Sequence, residues 1–223
     1  MINIKKIVWD STAFLPARAR MHADIYKQLF RNKDSFLNST GWLESFKEKK
    51  PVDSNGDETV WMNYAITRFL KQRLKPDFKL FEYGSGYSTS FYAGLVEKVV
   101  SVEYDQEWAK LVKEKIPSNA SLIIQGKDVD GKYCRSIKAD NELYDVVVID
   151  GRDRVNCVRQ SEGSLTSRGV VVLDDSQREE YKKSYEIMNE RGYRFVEFEG
   201  IKPTGIYYYR TTVFYKDGNC LGI

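Results

Sequence analysis

Apolar and polar positions change their period repeatedly along this chain, and each change predicts an element. The run at Phe78–Tyr83 predicts a strand over Lys79–Tyr83, bounded by Pro76 before it and a glycine turn after it. Four more runs of the same kind predict strands at Val99–Tyr104, Ser121–Ile124, Tyr144–Ile149 and Gly169–Leu173. Helix-compatible stretches lie between or after them at Ser88–Val96, Gln106–Lys115, Val155–Leu165 and Gln177–Arg191, with Asp105 suited to cap the second. Strands alternating with helices predict a parallel sheet with right-handed crossovers. Upstream, Met62, Ile66, Phe69 or Leu70, and Leu74 recur at helical spacing, predicting a core-facing helix capped by Asp57 or Thr59 and ended by Pro76. Downstream, Arg194–Glu199 and Tyr207–Tyr215 are extended runs joined by Gly200-Ile-Lys-Pro-Thr-Gly205; Tyr207-Tyr-Tyr-Arg210 suits either a pocket lining or alternating strand aromatics, and the strand reading is preferred. Residues 1–60 are less regular. Between Ala17 and Phe46 the apolar positions, Tyr26, Leu29, Phe30, Phe36 and Leu37 among them, are loosely helical, and a polar turn cluster at Lys49–Asp57 follows. The expectation is a helical extension over 1–60, packed on the core or capping a pocket, ahead of a domain over 61–223.

The chemistry concentrates at the carboxyl ends of the predicted strands, where open α/β sheets bind ligands. The first strand runs into Glu82-Tyr-Gly84-Ser85-Gly86, a turn whose bare backbone admits a ligand closely. The second ends in Glu103, 103 − 82 = 21 residues later, the separation that sets an acid over a ribose. A dinucleotide fingerprint needs a third glycine where this chain has Thr89, and no Gly-Lys-Ser/Thr follows to make a P-loop. After the third strand comes Gln125-Gly-Lys-Asp128. The fourth carries Asp150 out of five apolar positions, a placement costly for a carboxylate unless it is hydrogen-bonded or sits at a mouth. The fifth ends in Asp174-Asp175-Ser176. Arg152 and Arg154 follow Asp150, suited either to an anionic group or to pairing with Asp153 and neighbouring acids.

Phe81-Glu-Tyr-Gly-Ser-Gly-Tyr-Ser-Thr89, with Ser101-Val-Glu103 and Ile149-Asp-Gly-Arg-Asp-Arg154, resembles the class I S-adenosylmethionine-dependent methyltransferases, and looks like a bacterial branch of that family. The likeness covers about residues 60 to 216. It implies a Rossmann-like, doubly wound, mostly parallel seven-stranded sheet whose last strand is antiparallel. It also implies S-adenosyl-L-methionine as cofactor, held by Glu82, Gly84, Ser85, Gly86, Ser88, Glu103, Tyr104, Asp128 and Asp150. The glycines would pass beneath the methionine part, Glu103 would hold the ribose, Asp128 would take the adenine amino group, and Asp150 would be the catalytic group. Catechol-type O-methyltransferases have a similar layout with Asp after the fourth strand and Asp-Asn after the fifth, which brings in Mg²⁺. Here Asp175 replaces the Asn and the glycine loop is shorter, and both departures weigh against the metal. The implied activity is methylation of a small-molecule or glycan hydroxyl. The rivals are an NAD-dependent oxidoreductase and a non-catalytic module of the same fold.

Bulk properties narrow the partners. A length of 223 residues suits one α/β domain with a modest addition, and 42% hydrophobic and 30% charged residues are ordinary for a globular chain. A net charge of +3 without a basic block points away from nucleic acid. Cys134, Cys157 and Cys220 lack paired spacing, and His22 is the only histidine, so a disulfide framework, a Cys/His zinc site and a histidine triad are not expected. With no apolar run of about 18 residues and an N-terminal stretch too short and broken for a signal peptide, a cytoplasmic setting is expected. Oligomeric state has no signature in the sequence.

Overall fold

The computed structural model describes residues 16–223. Its centre is a seven-stranded sheet in the order β3-β2-β1-β4-β5-β7-β6. The strands are β1 (Lys79–Tyr83), β2 (Lys98–Glu103), β3 (Ala120–Ile124), β4 (Tyr144–Ile149), β5 (Leu165–Leu173), β6 (Arg194–Gly200) and β7 (Tyr209–Tyr215). The first five pair in parallel, and β7 runs antiparallel to both its neighbours, as the resemblance implied. Val146–Ile149 and Val170–Leu173 are wholly buried, the signature of central parallel strands covered on both faces. One face packs Phe81, Tyr83, Tyr133 and Tyr144; the other packs Leu80, Val99 and Val148 against Ile66 and Leu70.

The helices are α1 (Ala17–Tyr26), α2 (Phe36–Ser39), α3 (Trp42–Glu48), α4 (Tyr64–Arg73), α5 (Tyr87–Ala93), α6 (Gln106–Lys113), α7 (Lys132–Arg135), α8 (Arg154–Ser161) and α9 (Lys182–Glu190). Asp105 caps α6 as expected, accepting the Glu107 and Trp108 N–H groups. Helix α4 begins later than expected, capped by Asn63 rather than Asp57 or Thr59, because Val60 and Met62 are buried in an extended approach and leave no room for an earlier turn. Helix α8 stops at Ser161 and a 3₁₀ turn leads into β5, which starts at Leu165 instead of Gly169. Helix α9 starts at Lys182 instead of Gln177, since the preceding segment is held at the sheet by the Ser176 N–H bond to the Arg210 carbonyl. Tyr207 and Tyr208 lie outside β7 and are exposed, so they are loop residues rather than strand aromatics.

The described part of the extension is helical up to Glu48, and its helices leave most of their large apolar side chains exposed, while Val52 and Val60 further on are buried. No residue of α1 is buried, and Tyr26, Leu29, Phe30 and Phe36 are exposed, correcting the core-packed reading for these side chains. A polar contact ties it to the sheet's last loop: Trp42 Nε1 donates to the Gly205 carbonyl at 2.8 Å. Next to it, Trp61 Nε1 donates to the Pro203 carbonyl at 2.8 Å and the Tyr64 N–H donates to the Ile201 carbonyl at 3.2 Å. All three bonds fall on the loop between β6 and β7. Among the described residues, no helix is long and apolar enough to cross a membrane, and the three cysteines are free and buried.

Candidate active site

Strands β1 and β4 are neighbours in register, Tyr83 beside Ile149, so their exits lie side by side. The Asp150 N–H donates to the Tyr83 carbonyl at 3.0 Å, and the Gly84 N–H donates to the Val102 carbonyl at 2.9 Å. Gly84 turns at φ +98°, a conformation side chains rarely adopt. Gly151 is needed for space rather than conformation. A Cβ there would collide with the Tyr133 hydroxyl and stand 2.8 Å from the Gly84 nitrogen. Gly86 packs against Trp108, whose Nε1 donates to the Ser85 carbonyl at 2.9 Å. Two crossing backbones without side chains thus form the floor of a crevice.

Each acid of the glycine motif is anchored before any ligand arrives. Glu82 is buried and accepts from Ser88 Oγ, Thr89 Oγ1 (2.7 Å) and Ser101 Oγ (2.7 Å). Burial pushes its pKa up to about 7, against the pull of those three donors. Thr89 Oγ1 also accepts the Gly86 N–H at 3.1 Å, so a backbone donor that a pyrophosphate would use is already engaged. Glu103 accepts four bonds: the Ser85 N–H and Oγ on Oε2, and the Tyr104 and Asp105 N–H groups on Oε1, all within 3.1 Å.

At the β4 and β5 exits the carboxylates of Asp150, Asp174 and Asp175 gather with three cations. Arg154, itself buried, pairs with Asp150 Oδ1 at 2.8 Å and donates to the carbonyls of Asp150, Gly151 and Asp174. The Asp150 side chain is 33% exposed, yet desolvation raises its pKa, with Arg154 and Lys202 opposing. Asp174 is buried. Its Oδ1 accepts Thr211 Oγ1 at 2.5 Å, its Oδ2 has no partner, and desolvation followed by the charges of Asp150 and Asp175 pushes its pKa up to about 7. For Asp175, burial works upward, but Lys202 Nζ at 3.0 Å on Oδ1 and Arg178 Nη2 at 2.5 Å on Oδ2 hold it below the usual range. A divalent metal does not fit this arrangement, because Asp150 Oδ1 and both Asp175 oxygens already face side-chain cations. Among the described residues, no three potential protein ligands converge on a metal position.

A crevice of about 250 Å³ brings together Glu82, Gly84, Ser85, Ser88, Glu103, Tyr104 and Asp150 with Gly151, Arg152 and Arg154. Of the expected site residues, Gly86 and Asp128 do not line it. Gly86 sits behind the turn. Asp128 accepts the Lys132 and Tyr133 N–H groups (2.6 and 3.1 Å) and so organises the start of α7. Asp153 does not pair with the loop arginines: Arg154 goes to Asp150, and Arg152 to the Tyr104 hydroxyl at 2.8 Å, its guanidinium 4.9 Å from the ring centre. Gly151, Arg154 and Lys202 were not among the expected site residues. Arg154 follows Asp150 at the i+4 spacing of a helix pair, a signal legible in sequence; Lys202 has no such signal.

No protein-family model matches the chain, and no curated protein matches its sequence. Solved structures do resemble it. The O-methyltransferase TomG from Streptomyces achromogenes, involved in tomaymycin synthesis and solved with SAM, aligns over 92% of this chain and 100% of its own at 14% identity, TM-score 0.54. Precorrin-6y C5,15-methyltransferase from Geobacter metallireducens aligns over 72% of this chain and 95% of its own at 17% identity, TM-score 0.52. Spermidine synthase from Thermotoga maritima aligns over 69% of this chain and 56% of its own at 17% identity, TM-score 0.51. The chain therefore has the fold of the class I S-adenosylmethionine-dependent methyltransferases, as its motifs implied. A synthase shares that fold, so the reaction must be argued from the site.

Proposed function

We propose that this chain is an S-adenosylmethionine-dependent methyltransferase acting on a hydroxyl of a small molecule or glycan. The observation that carries this reading is the crevice floor, where Gly84 and Gly151 bring two bare backbones so close that a Cβ on either would press on the other. Charge supports it too. The lining holds three carboxylates, Glu82, Glu103 and Asp150, against two guanidiniums, Arg152 and Arg154, formally 2 − 3 = −1, which suits a cationic sulfonium.

When bound, S-adenosylmethionine supplies an electrophilic methyl for in-line displacement. The Gly84–Gly86 backbone would carry its methionine part. Glu103 would take the ribose hydroxyls by releasing the Ser85 hydroxyl, the one donor in its set that rotates freely. Asp128 would act by fixing the loop before α7 rather than by direct contact. Arg154 would orient Asp150, whose carboxylate would accept the acceptor hydroxyl's proton. Residues 1–60 would cap the acceptor side, a role supported by the Trp42 bond to the β6–β7 loop. Three free cysteines support a reducing, cytoplasmic setting.

Calorimetric titration with S-adenosylhomocysteine and, separately, NAD⁺ tests the reading. Micromolar binding of the first alone is expected, weakened in Glu103→Ala by about 1–3 kcal/mol for lost bonds to a charged group. Binding of NAD⁺ would return the oxidoreductase to the front, and binding of neither would favour a non-catalytic module.

A further inference from the structure

The acid cluster at the β4 and β5 exits is balanced by three cations of very different origin. Arg154 is fully engaged, holding Asp150 and three backbone carbonyls. Arg178 lies at the rim, 46% exposed. Lys202 comes from the β6–β7 loop, far along the chain, and is only 16% exposed. Its Nζ lies 3.0 Å from Asp175 Oδ1 and 4.2 Å from the centre of the Tyr209 ring.

A lysine drawn from a loop needs that loop to be fixed, and here it is fixed on each side. The Tyr64 N–H holds the Ile201 carbonyl, Trp61 holds Pro203, Trp42 holds Gly205, and the Gly205 N–H closes a 2.8 Å bond to the carbonyl of Lys202 itself. These contacts limit the conformations over which the ammonium must be restrained, lowering the entropy lost in holding it. With all three carboxylates ionised the three cations cancel them, 3 − 3 = 0, so removing Lys202 takes one positive charge from the cluster, frees Asp175 Oδ1 and keeps Asp174 Oδ2 without a partner.

We propose that Lys202 is the resident cation of this strand-end acid cluster, filling the role a divalent metal takes in catechol-type relatives of the fold, so that the site works without one. The consequence for methyl transfer rests on the function proposed above; the ion chemistry does not, and the test reads only the ion chemistry.

Wild type, Lys202→Met, Lys202→Arg and Asp175→Asn are titrated with Mn²⁺, following free Mn²⁺ by electron paramagnetic resonance and the melting temperature in parallel. Wild type and Lys202→Arg are expected to bind no Mn²⁺ at 1 mM and to melt unchanged. Lys202→Met is expected to melt lower and to bind one Mn²⁺. At tenfold excess over Kd its melting temperature then rises by about 3–6 °C, through linkage in a chain of this size. A merely structural lysine would lower the melting temperature without creating an ion site. Wild-type Mn²⁺ binding that Asp175→Asn abolishes would overturn the proposal, as would a folded Lys202→Met that gains no ion. If Lys202→Met does not fold, the wild-type and Lys202→Arg titrations decide: a bound ion refutes, and none supports.

Discussion

Gly151→Ala tests the geometry on which the crevice depends. The φ of Gly151 does not demand glycine; the demand is space, with the Tyr133 hydroxyl in the way and the Gly84 nitrogen and Tyr83 carbonyl carbon at 2.8 and 2.9 Å from the new methyl. Two of those three neighbours are backbone, so the collision cannot be relieved by a rotamer change. Overpacking of this kind costs about 1–3 kcal/mol. Moving Gly84 strains its bond to the Val102 carbonyl, at about 0.5–1.5 kcal/mol more. The sum is about 1.5–4.5 kcal/mol, which at about 2–4 °C per kcal/mol lowers the melting temperature by roughly 3–18 °C. Thermal unfolding by circular dichroism reads this directly. Gly163→Ala, where nothing lies within 4 Å, is the matched control and is expected to stay within about 2 °C of wild type. The variant is also expected to lose S-adenosylhomocysteine affinity by tenfold or more, since the Gly84 backbone moves. If Gly151→Ala melts with the control and binds the ligand as wild type does, the close crossing of the two backbones is not what shapes the crevice.

Other consequences follow from the same neighbourhood. Asp174 has a folded pKa of about 7 against an ordinary value of 3.8, so the folded state holds more protons than the unfolded state between those values. Asp174 should therefore contribute a fall in stability as pH rises from about 4 to 7, of about 4 kcal/mol at 1.36 kcal/mol per pKa unit, and in urea titrations across the window Asp174→Asn should remove that share while leaving the one from Glu82, also raised to about 7. Arg154→Met strips a buried ion pair and three carbonyl bonds, and should cost about 3–5 kcal/mol in chemical denaturation; Arg154→Lys, which cannot span the three carbonyls, should recover only a minor part. Trp61→Phe loses one bond to the β6–β7 loop, about 1 kcal/mol, and chymotryptic cleavage at exposed Tyr207 and Tyr208 should quicken about fivefold.

What the sequence disclosed was local in origin. The strands around Phe81, Val100 and Val147 are short apolar runs with turn residues at their ends, and Asp105 caps the helix it precedes, so period and capping chemistry sufficed. The Glu82 and Glu103 spacing is likewise a property of one β-α-β unit, and both acids reach the crevice. Asn63 was passed over because Asp57 and Thr59 are equally good caps. Burial of Val60 and Met62, a tertiary fact, decides among the three. Asp128 was undecidable for a related reason: a carboxylate at a strand's end serves a ligand or the next helix equally well, and only the path of the chain brings the Lys132 and Tyr133 N–H groups to it. Lys202 was out of reach altogether. Its place beside Asp175 is set by Trp42 and Trp61, 202 − 42 = 160 and 202 − 61 = 141 residues away in sequence.

The bond from Thr211 to Asp174 carries one more implication, concerning direction. Asn63 Oδ1 accepts the Ile66 N–H, which fixes its amide orientation, and its Nδ2 donates to both the Phe198 carbonyl and Thr211 Oγ1. An amide nitrogen can only give, so the Thr211 hydroxyl receives there and must send its single proton onward to Asp174 Oδ1. The relay thus runs one way, from a helix cap to a strand end. A neutral Asp174 has no choice of oxygen: its proton sits on Oδ2, the atom left without a partner, and the cluster of acids contains one hydrogen-bond donor whose position the far side of the sheet has already decided.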